Sequence, residues 1–115
     1  MKFSTALHDL IIQDSKINQV PEFVIGGNLK DENHAQRRMQ PRAIDVNMIK
    51  VALAYGEFAF YSRALTWTLL DKCLRNTVYE LWTGNLRGLR IIARATDTEE
   101  SLMICTVYWD FDLTN

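Results

Sequence analysis

Two apolar runs near the end of the chain, Leu89 to Ala95 and Leu102 to Trp109, flank the acidic segment DTEES, and this narrows the fold more than any other feature. Two apolar runs separated by a short acidic segment predict a hairpin with that segment as its loop. In the second run Met103, Cys105, Val107 and Trp109 alternate with Ile104, Thr106 and Tyr108, so Thr106 and Tyr108 are expected on one face of a sheet. A second antiparallel pair is expected upstream, where Glu57 to Ser62 and Leu65 to Leu70 flank a short polar break with weak turn chemistry.

Helices are expected before the strands. Phe3, Ala6, Leu7, Leu10 and Ile11 fall at helical spacing within residues 3–15, with His8 beside the stripe. Pro21 breaks the pattern, Glu22 to Ile25 reads as a short extended segment, and Gly26-Gly27-Asn28 as a turn. A short helix is expected from His34, capped by Asp31 or Asn33 and stopped by Pro41. Asp45 is a natural cap for the next helix, in which Val46, Ile49 and Leu53 form a stripe with Met48 and Ala52 beside it, up to Gly56. Between the two strand pairs, Asp71 to Thr83 is expected to be wholly or partly helical, with Leu74, Val78, Leu81 and Trp82 inward and Gly84 as its stop. Helices followed by mostly antiparallel strands predict an α+β class, with the sheet resting on one or two helices.

The chain has 115 residues, enough for one continuous core, and its 48% apolar and 23% charged content excludes a disordered, collagen-like or membrane protein. No apolar run approaches a bilayer span, and His8 and Asp9 interrupt the first apolar stretch, so the protein is expected to be cytoplasmic. Cys73 and Cys105 are far apart among apolar neighbours, which predicts buried free thiols and no metal site. No phosphate-loop glycine pattern or Gly-x-Ser-x-Gly elbow is present, and no cofactor is expected. Charge is unevenly divided. Residues 1–33 hold three lysines against five acids, residues 34–95 ten bases against four acids, and the last twenty residues five acids and no base. A basic centre suits an anionic partner such as RNA, although ordinary solvated arginines explain it equally well.

The segment NHAQRRMQPRAI gathers one histidine and three arginines, with His34 and Arg38 on one helical face and Arg37 on the neighbouring one. His34, Ala35, Arg38, Met39, Arg42 and Ile44 resemble the opening His-Ala-x-x-Arg-Met-x-x-Arg-x-Ile of a family of small bacterial domains of unknown function. The resemblance continues through Ala54-Tyr55-Gly56, LRGLRIIA at residues 86–93 and Thr106-Val107-Tyr108-Trp109, and so covers the last two-thirds or more of the chain. Residues 1–30 fall outside it and are taken as an extension with a short helix, and residues 31–115 as the α+β domain. The resemblance implies a fold similar to the barnase, EndoU, colicin and RelE (BECR) group, many of whose members are metal-independent ribonucleases deployed as toxins.

What the resemblance implies for the residues is a catalytic set of His34, Arg38, Arg42 and Tyr108, with Thr106 and Arg37 as binding residues. The unperturbed pKa of an imidazole lies near neutrality, so a histidine at position 34 suits an acid or base; two arginines suit a phosphate, and Tyr108 suits orienting it or donating a proton. Two departures from the pattern stand out. Ala43 occupies a position where glycine commonly follows the second arginine, and the domain lacks the second histidine that an EndoU-like mechanism requires. Each residue also has a structural reading: His34 as a helix cap, Arg38 and Arg42 in ion pairs with Asp45, Glu57 or the acidic tail, Thr106 and Tyr108 as strand residues. Trp67, Trp82 and Trp109 are expected in the core or at its rim. The leading expectation is a ribonuclease-like domain acting on RNA, and the alternative a non-catalytic protein- or nucleic-acid-binding module. An antitoxin- or immunity-like protein and a homodimer through the N-terminal segment are the further expected partners.

Overall fold

The computed structural model describes residues 2–26, 34–96 and 101–110, the side chains of His34 and Gln36 excepted. Helix α1 (Phe3–Ile12) is followed by a 3₁₀ turn at Ile17–Gln19, strand β1 (Glu22–Ile25) and helices α2 (His34–Met39) and α3 (Val46–Tyr55). Strands β2 (Glu57–Tyr61) and β3 (Ala64–Thr68) lead to short helices α4 (Asp71–Leu74) and α5 (Thr83–Leu86), then β4 (Leu89–Ala95) and β5 (Ser101–Trp109). The strands form one sheet in the order β1-β5-β4-β3-β2. All pairs are antiparallel except β1, which runs parallel to β5. The class is α+β, as expected from the pattern of elements.

Burial drives the helical layer. Ala6, Leu7 and Ile11 of α1 are buried, as their spacing predicts, and α1 packs against α3. Asp45 caps α3, its Oδ1 accepting the Met48 N–H at 2.9 Å. The buried face of α3 is Met48, Ile49, Val51, Ala52 and Leu53, whereas Val46, expected to head the stripe, is exposed. Val46 is the first helical residue, and the chain arrives there before the helix has turned onto the sheet. Gly56 ends α3 with ordinary negative φ, and its need for glycine is spatial, since a Cβ would lie 2.5 Å from the Ala52 carbonyl oxygen. Leu7, Ile11 and Ile17 share one core with Met48, Ile49, Leu89, Ile91, Ile104 and Val107, so α1 and α3 cover the same sheet face.

The β2–β3 hairpin closes with only Ser62 and Arg63 between the paired Tyr61 and Ala64. Both loop residues have positive φ, 51° and 65°, the backbone of a type I′ turn made without glycine or asparagine, which explains the weak turn signal. In β5 the simple alternation fails. Thr106 pairs with Ile92 but Ile104 with Ala93, so Cys105 is an extra residue, a β-bulge. The bulge reverses parity: Ile104 and Leu102 join Val107 in the core, and Met103 turns outward with Thr106 and Tyr108. Met103 and Ile104 therefore lie on the faces opposite to those expected. Cys105 is buried and its thiol is pushed up by that burial, while Cys73 is half-buried; both are free.

Residues 71–86 are only partly helical. The run breaks after α4, where Asn76 has φ 62°, and resumes in a 3₁₀ turn at Glu80–Trp82 and α5. The break puts Leu74, Tyr79 and Leu86 in the core and leaves Val78 and Leu81, expected inside, exposed. Gly84 lies within α5 rather than stopping a helix. The expected caps Asp31 and Asn33, most of the Gly26-Gly27-Asn28 turn and most of the acidic hairpin loop lie outside the described residues.

Between α2 and α3 the chain turns through Ala43, at φ 55°, and the Ile44 N–H returns to the Met39 carbonyl at 2.9 Å. A left-handed conformation costs an L-residue roughly 1–2 kcal/mol, and a glycine gives back about 0.5–1 through its unfolded-state freedom. Ala43→Gly is therefore expected to raise stability by about 0.5 kcal/mol, read as a higher urea midpoint at unchanged slope.

Candidate functional site

The face of the sheet opposite the helical layer carries a polar row across four strands. Glu57 pairs with Thr68, Thr68 with Arg90, and Arg90 with Tyr108. Beside it runs a second row, Ala59, Thr66, Ile92 and Thr106. Period-2 alternation makes both rows unavoidable once the core claims Leu89, Ile91 and Val107. The rows floor a concavity of about 720 Å³ lined by Glu57, Ala59, Tyr61, Thr66, Thr68, Arg90, Ile92 and Tyr108, with Phe58 and Leu70 at its margin.

Arg90 is the hub. Its Nε donates to Thr68 Oγ1 at 3.0 Å, Nη1 donates to Tyr108 Oη at 3.1 Å, and Nη2 lies 3.4 Å from Asp110 Oδ2. The guanidinium carbon also sits 5.7 Å from the Tyr108 ring centroid. Three contacts on three nitrogens hold the plane still, and of the five N–H groups of an arginine they leave two for an anion. Asp110 is positioned by Gly88: the Asp110 N–H donates to the Gly88 carbonyl at 2.8 Å, and the Gly88 N–H donates to Leu69 at 2.8 Å. Gly88 has φ +82°, and a Cβ there would lie 2.5 Å from the Asp110 carbonyl oxygen. The glycine is thus required both by conformation and by space. Across the cavity mouth, Glu57 pairs with Lys72 at 3.3 Å, both half exposed, so the pair is weak and open to exchange.

The residues expected from sequence divide between this face and the β5 edge. Tyr108 lines the concavity, and Thr106 is half-buried on the same face beside Ile92. Arg42 is committed elsewhere: its Nη1 donates to the Val107 carbonyl, and its own carbonyl accepts the Trp109 Nε1–H at 2.7 Å. These two bonds clip the turn after α2 to the stretch of β5 that β1 does not reach. Arg37 and Arg38 occupy the last turn of α2 with exposed side chains, where cations suit the negative end of the helix dipole. His34 begins α2, which packs on β5, but its side chain lies outside the described part. Trp67, Trp82 and Trp109 pack against the core, as expected.

Sequence reasoning missed Arg90, Thr68, Glu57 and Asp110. Their signal was present in part. Arg90 alternates with Leu89 and Ile91 inside LRGLRIIA, and that segment pairs with Thr106-Val107-Tyr108-Trp109, so the two late motifs of the resemblance meet in the sheet. What was lacking was the hairpin register, which the bulge at Cys105 sets. Among the described residues no cluster of His, Cys, Asp and Glu is arranged to hold a metal ion, and no helix is long and apolar enough to cross a membrane.

No curated protein and no solved structure matches the chain. A family model, described as a domain of unknown function (DUF4258), matches residues 32–109. That match runs from the start of α2 to the end of β5 and takes in Arg42, Arg90 and Tyr108 alike, so the chain belongs to the DUF4258 family.

Proposed function

We propose that the open sheet face binds RNA and that the chain is a metal-independent, ribonuclease-like domain of toxin type on a BECR-like scaffold. The observation that carries this reading is the Arg90 guanidinium, held flat by Thr68, Tyr108 and Asp110 on the floor of a solvent-reachable concavity. A fixed cation with spare donors suits a phosphodiester, and the exposed Tyr61 on the same face suits stacking on a base. In the catalytic reading, Arg90 neutralises charge growing on the phosphate and Tyr108 supplies a proton to the leaving oxygen. His34, at the head of the helix packed on β5, takes the proton from the 2′-hydroxyl, with Arg38 of the same helix toward the backbone.

A second reading is favoured by the way the arginines are spent. Arg42 holds a backbone carbonyl of β5 and Arg90 already holds Asp110, which suits a module that binds without turning over. Binding and cleavage of a mixed-sequence single-stranded RNA by the purified full chain separate the two. In the catalytic reading His34→Ala and Tyr108→Phe each lower cleavage by about 10²–10³-fold while binding changes little. Binding without cleavage, unchanged by His34→Ala, favours the module. Absence of both activities in the wild-type chain rejects RNA as the ligand.

A further inference from the structure

The edge of the sheet at β2 is unprotected. β2 is the terminal strand and all five of its residues are exposed. Phe58, Phe60 and Tyr61 remain 53%, 66% and 77% accessible. Edge strands of soluble proteins are normally blunted by lysine, proline or a bulge, and Glu57-Phe58-Ala59-Phe60-Tyr61 pairs with β3 in unbroken register and contains neither lysine nor proline. Its open hydrogen-bonding groups can be identified. In a two-residue hairpin the closing pair, here Tyr61 and Ala64, is hydrogen-bonded, so alternation makes Ala59 and Glu57 the other residues bonded to β3. The N–H and C=O groups of Phe58 and Phe60 therefore point away from the sheet.

We propose that two copies of this chain join through β2, antiparallel about Ala59, so that the two sheets continue as one and each copy brings Tyr61 to the margin of the other's open-face concavity. The strand is self-complementary in this register. Phe58 stands opposite the partner's Phe60, so the outward backbone groups of both residues are satisfied in closely spaced pairs and the rings meet across the junction. The small Ala59 lies on the two-fold axis. Charge selects the same arrangement. Glu57 begins the strand and Arg63 follows its end, so antiparallel pairing sets Glu57 diagonally across from the partner's Arg63. Within one chain the two residues are about 20 Å apart along the strand and do not meet. A foreign strand would satisfy the backbone but has no reason to match both charged ends, which is why the occupant is a second copy. Glu57, Ala59 and Tyr61 share the cavity-lining face, so the partner's Tyr61 arrives opposite Glu57.

The test is sedimentation velocity of the full chain from micromolar to submillimolar concentration. A monomer–dimer equilibrium is expected, and Phe60→Lys weakens it at least about tenfold with the far-ultraviolet circular dichroism unchanged. Glu57→Arg and Arg63→Glu each weaken it as well, and the double variant recovers, because rescue can come only between chains. In the antiparallel register Ala59 faces the partner's Ala59 at about 4.5 Å between Cα atoms. Ala59→Cys therefore forms a disulfide-linked dimer on mild oxidation, whereas the parent chain and Ser4→Cys do not. Should Phe60→Lys misfold, this cross-link decides. A wild-type chain that stays monomeric, self-association indifferent to Phe60→Lys, or Ala59→Cys that fails to cross-link overturns the proposal. The proposal stands apart from RNA binding, since sedimentation is measured without nucleic acid.

Discussion

Gly88→Ala is expected to lower stability by about 3 kcal/mol and to weaken whatever binds the open face. A left-handed φ of +82° costs an alanine roughly 1–2 kcal/mol by itself. The new Cβ also falls 2.5 Å from the Asp110 carbonyl oxygen, and because that atom is backbone, the end of β5 must move. The bonds from Gly88 to Leu69 and from Asp110 to Gly88 are then strained or broken, at about 0.5–1.5 kcal/mol each. Urea denaturation reads the loss, and it distinguishes this account from one in which Gly88 is merely a loop residue, for which alanine would be neutral or stabilising. The consequence reaches the site because Asp110 is the carboxylate that faces Arg90 Nη2.

The second large effect is expected on the far side of the molecule, at Asp14. One carboxylate oxygen, Oδ2, accepts from Tyr55 Oη at 2.7 Å and from Tyr79 Oη at 2.8 Å, while Oδ1 accepts the Lys16 N–H at 2.9 Å. This ties the end of α1 to α3 and to the broken segment between β3 and β4. Tyr79 is fully buried, so Asp14→Ala leaves its hydroxyl without an acceptor and is expected to cost about 3 kcal/mol; Asp14→Asn, which keeps an acceptor, is expected to cost about 1. The pH dependence follows from the same contacts. Burial raises the Asp14 carboxyl, but the hydrogen bonds from Tyr55, Tyr79 and the Lys16 and Ile17 backbones outweigh it and hold the pKa below the usual value. Its contribution is complete above the unfolded carboxylate's pKa of about 4 and is lost as pH falls through the depressed folded value. Burial, and then the bond to Asp14, push Tyr55 up to about 12 and Tyr79 above the ordinary phenol range. Their contribution is present below the unfolded phenol's pKa of about 10 and is lost as pH rises through the raised folded values. The urea midpoint of the wild-type chain is thus expected to fall at both extremes, and that of Asp14→Ala to respond less at the acid end.

Local signals carried most of the elements. The α1 stripe, the Asp45 cap and the two hairpins each depend on residues close together in sequence, where periodicity and capping chemistry act directly. What escaped depends on distant partners or on one irregular residue. The parallel pairing of Glu22–Ile25 with β5 joins the two ends of the chain, and nothing local announces it. The bulge at Cys105 turns Met103 out and Ile104 in because two residues there oppose one, a register fact invisible to alternation. The segment after Asp71 looked like one amphipathic helix, but the positive φ at Asn76 resets its phase and sends Tyr79 inward to Asp14 in place of Val78. Tyr108 was expected at the site and Arg90, which pairs with it, was not, because the hairpin register that joins them is set by the bulge. Arg42, which the resemblance places in the catalytic set, donates through Nη1 to a carbonyl on β5, a long-range contact that no local pattern announces.

We propose that RNA engages the polar rows across β2, β3, β4 and β5, with Arg90 at their middle. The most direct test is a titration of isotope-labelled full chain with a short single-stranded RNA, followed by backbone amide resonances. The expected shifts cluster at Thr66, Thr68, Arg90, Ile92, Thr106 and Tyr108, and Arg90→Ala weakens them at least about tenfold. Shifts confined to α1 and α3, or a binding curve that Arg90→Ala leaves unchanged, would contradict it.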